Sequence, residues 1–278
     1  MASIEMLTIL TASPRTGKTC YMTYKAITIG FDRSRTRLMQ REIAYKQSCG
    51  FTSIKTMPEH CISANYDITL RKFGYSPRYS RRINPYRLGF SNPYVKTHFN
   101  FPYECICITE AQKYFNSRMS LYYPDWQSRW FEQHGHNDID VFMDTQRPDL
   151  IDANIRSLSQ YIEIMKLTTE KDPFGMPCRL IWNIRRFDNC WLYDEYLKSG
   201  KRDKSCYTSD VEIADCNVFA CYDYQSCKPK FYDGHFNQDF DYLQSEITDD
   251  TLEDYVRILK KFDDELPDKF YIKKGKTA

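Results

Sequence analysis

Apolar residues fall along this chain in short runs separated by longer amphipathic stretches. Residues 6–11, 104–109 and 139–145 are runs of mostly apolar side chains, too short for buried helices and suited to strands covered on both faces. Between them the spacing predicts helices over Cys20–Ile29, ending at Gly30, over Glu110–Arg118, over a segment opened by Asp125 and carrying Trp126, Trp130 and Phe131, and over Leu150–Leu158. Strand alternating with helix three times over is the pattern of a mainly parallel α/β sheet. After Tyr161 the pattern changes. Tyr161–Thr168 and Cys178–Arg186 alternate apolar with polar, and Asp172-Pro173-Phe174-Gly175 between them is a turn sequence, so an antiparallel hairpin is appended to the sheet.

Two further segments stand apart. Residues 68–103 contain Arg71, Lys72, Arg78, Arg81, Arg82 and Arg87 with no acid, broken by prolines and rich in tyrosine. This reads as a basic insertion, and its guanidinium groups and aromatic faces make it a candidate surface for single-stranded nucleic acid. Residues 233–278 form an acidic tail in which Leu252, Tyr255, Val256, Leu259 and Phe262 recur at helical spacing. The expected organisation is therefore one domain over 1–232 with the insertion inside it, then a tail with an amphipathic helix.

Composition narrows the picture. Lys+Arg 39 against Asp+Glu 37 gives a net charge of +2, so the chain as a whole is no general polyanion binder. No apolar run reaches the roughly 18 residues of a membrane span, and the expected setting is the cytoplasm. The 11 cysteines include no Cys-x-x-Cys pair and read as reduced, mostly buried thiols.

The chemistry lies between the first strand and the first helix. Ala12-Ser13-Pro14-Arg15-Thr16-Gly17-Lys18-Thr19 has the spacing of a phosphate-binding loop, with alanine in the first glycine position. Such a loop turns backbone N–H groups inward, and the following helix adds its N-terminal partial charge. Ala12 to Cys20 would line the nucleotide, Lys18 would reach the β- and γ-phosphates, and the Thr19 hydroxyl would hold Mg²⁺. A chance match in a chain of this length has odds of about two in a hundred, before the strand and helix around it are counted. Cys20 stands at the helix start, where a thiol pKa is expected to fall. The second strand ends Thr109-Glu110 where this class of enzyme has Asp-Glu. Glu110 is the candidate to polarise an attacking water, while threonine stands in the place of the acid that orients the metal's waters. Gln146, after the third strand, is placed to meet the γ-phosphate. His134-x-His136 has no third ligand nearby in sequence and reads as a junction rather than a metal pair.

Taken in order, the loop 12–19, the segment Cys105–Gln112, Arg118, His134–Asp140, Thr145-Gln146-Arg147-Pro148, Ile151-Asp152-x-x-Ile155-Arg156 and Tyr222–Ser226 resemble the zonular occludens toxin-like family, which includes filamentous phage assembly ATPases. The resemblance implies a P-loop NTPase core binding ATP and Mg²⁺, a homo-oligomer, and a role in phage assembly and single-stranded DNA export at the inner membrane. Lacking a span of its own, the chain would reach that membrane through phage or membrane partner proteins. In an oligomer Arg118 or Arg156 would be the arginine presented to a neighbour's γ-phosphate. Two other readings stand beside this one: a nucleotide-binding scaffold that hydrolyses little, motivated by Thr109, and a small-molecule kinase using the same loop.

Overall fold

The computed structural model describes residues 7–30, 62–73, 80–83, 85, 88, 91–92, 97–98, 104–118, 125–137, 139–223, 231–232 and 235–236. Eight strands form the main sheet: β1 (Leu7–Thr11), β2 (Ile62–Ala64), β3 (Ser80–Arg82), β4 (Cys105–Ile108), β5 (Asp140–Thr145), β6 (Gln160–Lys171), β7 (Pro177–Phe187) and β8 (Thr208–Asp215). Their order across the sheet is β8-β7-β6-β1-β5-β4-β2-β3. From β3 to β6 every neighbouring pair is parallel. The β6–β7 hairpin and β8 continue the sheet antiparallel. This is the mainly parallel α/β sheet that the sequence predicts, with the predicted antiparallel strands appended to it.

The short apolar runs become strands because both faces of the parallel core are covered. On one face Leu10, Cys107, Phe142 and Trp182 pack under the helix α1 (Lys18–Gly30), which buries Tyr21, Met22, Ala26 and Ile27. On the other face Ile9, Ile106, Val141, Met143 and Tyr161 meet Phe115, Phe131 and Tyr196. Phe131 comes from helix α2 (Asp125–Gln133) and Tyr196 from helix α4 (Cys190–Lys198), with the short α3 (Ala153–Ser157) between them.

From β1 in the middle of the sheet the chain passes to β2 and the edge strand β3, steps back inward through β4 and β5, and crosses β1 to reach β6. The order reverses around β1, and the crevice at the carboxyl ends of strands beside such a reversal is where open α/β sheets bind ligands.

Three expectations need correction. The helix over Glu110–Arg118 does not form. Glu110 is left-handed (φ 54, ψ 44), Ala111–Lys113 makes only a 3₁₀ turn, and Asn116 then bridges Ile151 while the Phe115 carbonyl accepts the Asp152 N–H at 2.8 Å. Pairing with the segment after β5 wins over local helix propensity. That same bridge splits the Leu150–Leu158 helix into a 3₁₀ turn at Pro148–Leu150 and α3, which begins only where the Asp152 carboxylate caps the N–H groups of Asn154 and Ile155. Finally, the basic segment is partly woven into the core. Ser80–Arg82 is the outermost parallel strand, and Ile83 and Leu88 are buried. The hairpin turn forms as its sequence predicts, with the Asp172 carboxylate accepting from the N–H groups of Phe174 and Met176 and Gly175 at φ 82. The acidic tail helix lies outside the described residues. Among the described residues no helix is long and apolar enough to cross a membrane.

Candidate nucleotide site

The loop 12–19 leaves the carboxyl end of β1, where Thr11 stands between Thr145 of β5 and Glu163 of β6. Its tip, Ser13 to Arg15, is exposed, and Thr16 Oγ1 donates to the Ser13 carbonyl at 2.7 Å. Arg15 (φ 63) and Gly17 (φ 79) are both left-handed, a backbone that turns successive N–H groups toward one concavity. Two features favour glycine at 17. L-residues avoid that φ, and a Cβ there would lie 2.7 Å from Leu167 Cδ2 of the hairpin. The first helical bond runs from Tyr21 N–H to the Gly17 carbonyl, so the N–H groups of the first turn of α1 remain available to an anion. Lys18 is 8% exposed and folds back over the loop, its Nζ 3.3 Å from the Ala12 carbonyl.

Beneath the loop lies a carboxylate that reading along the sequence did not single out. Asp144, in β5, is 1% exposed. It accepts from Thr19 Oγ1 (2.9 Å) and Thr109 Oγ1 (3.0 Å) on Oδ2, and from the Glu110 N–H (3.0 Å) on Oδ1. Burial pushes its carboxyl above the usual aspartate range. The Glu110 N–H, the Lys18 charge and the Thr19 hydroxyl pull it back, and the Glu110 carboxylate pushes the same way as burial. The end of β4 is fixed in turn by Asn65, whose side chain accepts the Thr109 N–H at 2.8 Å and donates to the Thr109 carbonyl at 2.9 Å. The signal that could have found Asp144 is the acid itself, directly after the run Val141-Phe142-Met143 and still within the strand, at even spacing from Phe142 and hence on the α1 face.

Lys18, Thr19, Thr109, Glu110 and Asp144 are thus gathered at one point, and the remaining candidates take other places. Glu110 carries its left-handed backbone into this cluster, and its carboxylate accepts from Gln112 Nε2. A non-glycine residue held there is a local strain of the kind found at functional sites. Gln146 follows β5 directly and is exposed. Arg118 is exposed beyond the 3₁₀ turn, whereas Arg156 donates from Nε to the Ile151 carbonyl at 3.1 Å. Arg71 is exposed. Arg78 and Arg87 lie outside the described residues, as do the side chains of Lys72, Arg81 and Arg82. The expected fall in the Cys20 pKa is reversed: burial pushes this thiol up to about 12, although Tyr222 opposes the rise. His134 Nδ1 is 2.7 Å from the Phe131 carbonyl, and its ring lies against Trp130.

A nucleotide in such a loop is held together with Mg²⁺, which prefers oxygen ligands, keeps several waters and takes few protein groups. The donors fit that preference. A hydroxyl, Thr19 Oγ1, opens onto the loop with a buried carboxylate directly behind it. Among the described residues no group of three or more His, Cys, Asp or Glu side chains is arranged to hold a metal by itself.

Residues 96–210 match the family model described as zonular occludens toxin (Zot), which bears out the resemblance read from the sequence. The matched span holds Glu110, Asp144, Gln146 and the hairpin, and starts after the phosphate loop. Among solved structures the chain is similar to the N-terminal domain of zonular occludens toxin from Neisseria meningitidis, at 18% identity and TM-score 0.46 over 78% of this chain and 98% of that one. It is also similar to the genome packaging NTPase B204 from Sulfolobus turreted icosahedral virus 2, solved in complex with ATP-gammaS, at 11% identity and TM-score 0.35 over 76% of this chain and 98% of that one. No curated protein matches the sequence.

Proposed function

We propose that the protein is a P-loop ATPase that couples hydrolysis of Mg²⁺-bound ATP to virion assembly and export of single-stranded DNA. The observation that carries this reading is the convergence of Lys18, Thr19, Asp144, Thr109 and Glu110 beneath a loop with two left-handed residues, at the carboxyl ends of the central strands. The family match over residues 96–210 supports the phage-assembly context.

The roles follow from position. The loop N–H groups and the first turn of α1 bind the phosphate chain. Lys18, released from the Ala12 carbonyl, neutralises charge on the β- and γ-phosphates. Thr19 would hold Mg²⁺, which when bound would offset the charge of the phosphate oxygens. Glu110, whose N–H is fixed on Asp144, would orient and polarise the attacking water. Gln146, exposed at the end of β5, contacts the γ-phosphate and that water. In a homo-oligomer a neighbour contributes Arg118 or Arg156. Arg118, being exposed, is free to do so as it stands, whereas Arg156 must first leave the Ile151 carbonyl. The basic segment 68–103 offers single-stranded DNA its contact surface, and phage or membrane partners hold the protein at the cytoplasmic face of the inner membrane.

The test is phosphate release from Mg²⁺-ATP by wild type, Lys18→Ala and Glu110→Gln, with and without single-stranded DNA. Turnover is expected to fall at least 100-fold in both variants, the scale of losing one charge-stabilising group, with ATP still bound by Glu110→Gln. Thr109, in place of an acid, favours a second reading, a nucleotide-binding scaffold. Equal phosphate release by wild type and Glu110→Gln would make that the better account. Phosphate appearing on an added small molecule would point to a kinase instead.

A further inference from the structure

We propose that the carboxylate normally borne by position 109 has moved one strand across the sheet, and that Asp144 is the residue that positions the metal-binding hydroxyl of Thr19. The inference rests on the ATPase reading and adds to it a positioning residue that replaces the missing acid.

Register makes the move possible. β4 and β5 are parallel neighbours with Ile108 opposite Met143, so Thr109 and Asp144 stand side by side at the ends of their strands. Both project to the α1 face, because each lies two residues beyond a side chain packed there, Cys107 in one strand and Phe142 in the other. Neighbouring strands are about 4.8 Å apart. A carboxylate shifted by that distance away from β4 lands on the strand directly beside β1, with Leu10 across the register from it, and so nearer the phosphate loop. The bond from Thr19 Oγ1 to Asp144 Oδ2 at 2.9 Å is the result. The threonine left at 109 fills the vacated position with a hydroxyl, which donates to the same Oδ2 at 3.0 Å.

The partners suit the role. Among the described residues, every side chain that donates a hydrogen bond to Asp144 is neutral: two hydroxyls, with one backbone N–H beside them. A hydroxyl that gives its proton to a carboxylate keeps its oxygen lone pairs for a cation, and the carboxylate makes that oxygen a better ligand. A guanidinium or ammonium locked onto Asp144 would have spent the charge. Asp144 Oδ1 meanwhile holds the Glu110 N–H, so one side chain ties the Mg²⁺ ligand to the residue that handles water.

The experiment uses the full chain and a fluorescent ATP analogue, titrated with and without Mg²⁺, with Mn²⁺ spin resonance to count the cation bound alongside the nucleotide. The variants are Asp144→Asn, the exchanged pair Thr109→Asp/Asp144→Thr, and Lys18→Ala. In wild type Mg²⁺ is expected to tighten nucleotide binding. Asp144→Asn is expected to raise the metal concentration needed by about 10- to 100-fold, the usual cost of losing a group that orients a metal ligand. The exchanged pair is expected to restore the metal dependence, which a merely structural role for Asp144 would not. Full metal dependence in Asp144→Asn, with binding still lost in Lys18→Ala, would overturn the inference and leave the ATPase reading standing. Absence of Lys18-dependent binding in wild type would remove that reading and this inference with it. Should Asp144→Asn not fold, the exchanged pair decides alone: folded with metal dependence it supports the shift, folded without it the shift is wrong.

Discussion

Two buried acids flank the first strand of this protein, and they are treated in opposite ways. Glu163 lies in β6 beside Thr11, on the face away from α1. Its carboxylate is met by two full charges, Arg185 Nη1 at 3.3 Å and Lys201 Nζ at 2.9 Å. Arg185 is itself packed over the rings of Tyr196 and Tyr207, and Lys201 is delivered by the left-handed pair Gly200-Lys201 at the end of α4. Asp144, in β5 on the other side of β1, is the more deeply buried, yet two threonine hydroxyls and a backbone N–H are its hydrogen-bond donors. The first arrangement is closed: charge is cancelled within the chain, and the acid serves the packing of α4. The second leaves a buried negative charge cancelled only in part by the nearby Lys18, and so a place where an additional cation is welcome.

The strongest way to break this contrast is to remove the charge from Glu163. Glu163→Gln leaves Arg185 and Lys201 facing a neutral amide, and stability is expected to fall by about 1–3 kcal/mol. The loss stays below that of a fully buried pair because the Lys201 side chain is 56% exposed. Thermal unfolding at low and high salt checks it: the deficit should shrink as salt rises, and nucleotide binding should be untouched. If the variant lost nucleotide affinity without losing stability, the two acids would not divide the work as described.

Next in size is Gly17→Ala, which acts on the loop through the hairpin. A left-handed alanine costs about 1–2 kcal/mol, and its Cβ would press on Leu167. Leu167 Cδ2 is the end of a side chain and can shift, but the backbone strain remains. The loop is expected to relax out of its concavity and carry Thr19 away from Asp144, so that ATP affinity falls by about tenfold or more, a 1.4 kcal/mol loss being one decade. Equilibrium binding of the fluorescent analogue, together with a melting curve in its absence, separates the loop effect from any loss of the fold.

Asp144→Asn should move stability in the opposite direction from Glu163→Gln. Without nucleotide or metal the wild-type site carries a buried charge without a hydrogen-bonding cation, and an amide of the same shape removes that cost. The unfolding midpoint is expected to hold or rise, by about 1 kcal/mol at most, with part of the gain lost because the amide places a donor beside the Glu110 N–H or the two hydroxyls. A protein more stable when empty and less able to use Mg²⁺ is the signature of stability given up for function. A fall as large as that of Glu163→Gln would mean that Asp144 is a structural acid like its counterpart.

The contrast also explains what could be read from the sequence. The phosphate loop was legible because its requirements are local: a strand, a turn with glycine at 17, a lysine, a hydroxyl and a helix. The strands were legible because burial on both faces leaves short, mostly apolar runs. Whether residues 110–118 would be helical was not a local matter, since Asn116 pairs with Ile151 and Asp152 donates to Phe115 from more than thirty positions along the chain. Asp144 failed to stand out for the same reason. Scanned in order, the end of β4 has Thr109 where an acid belongs, and the metal site looks deficient. Only the register of β4 against β5 shows that the carboxylate stands on the adjoining strand.

The smallest effect tests whether the α1 face is as sealed as this account needs. Cys20 follows Thr19 and begins the buried side of α1, and its thiol is pushed up to about 12 by burial, which outweighs the helix N-terminus that would lower it. At pH 8 that leaves only about one thiolate in ten thousand. Native Cys20 is therefore expected to resist iodoacetamide under conditions where the partly exposed Cys178 of the hairpin is alkylated, and to react once the protein is unfolded. Peptide mass spectrometry after a timed pulse reads both positions in one sample. Bound nucleotide should slow the residual reaction of Cys20 further, by holding the first turn of α1 in place, and leave Cys178 unchanged. Rapid alkylation of Cys20 in the native chain would mean that this turn opens readily, that water reaches Thr19 and Asp144, and that the buried, partly cancelled charge on which the contrast with Glu163 depends does not persist in solution.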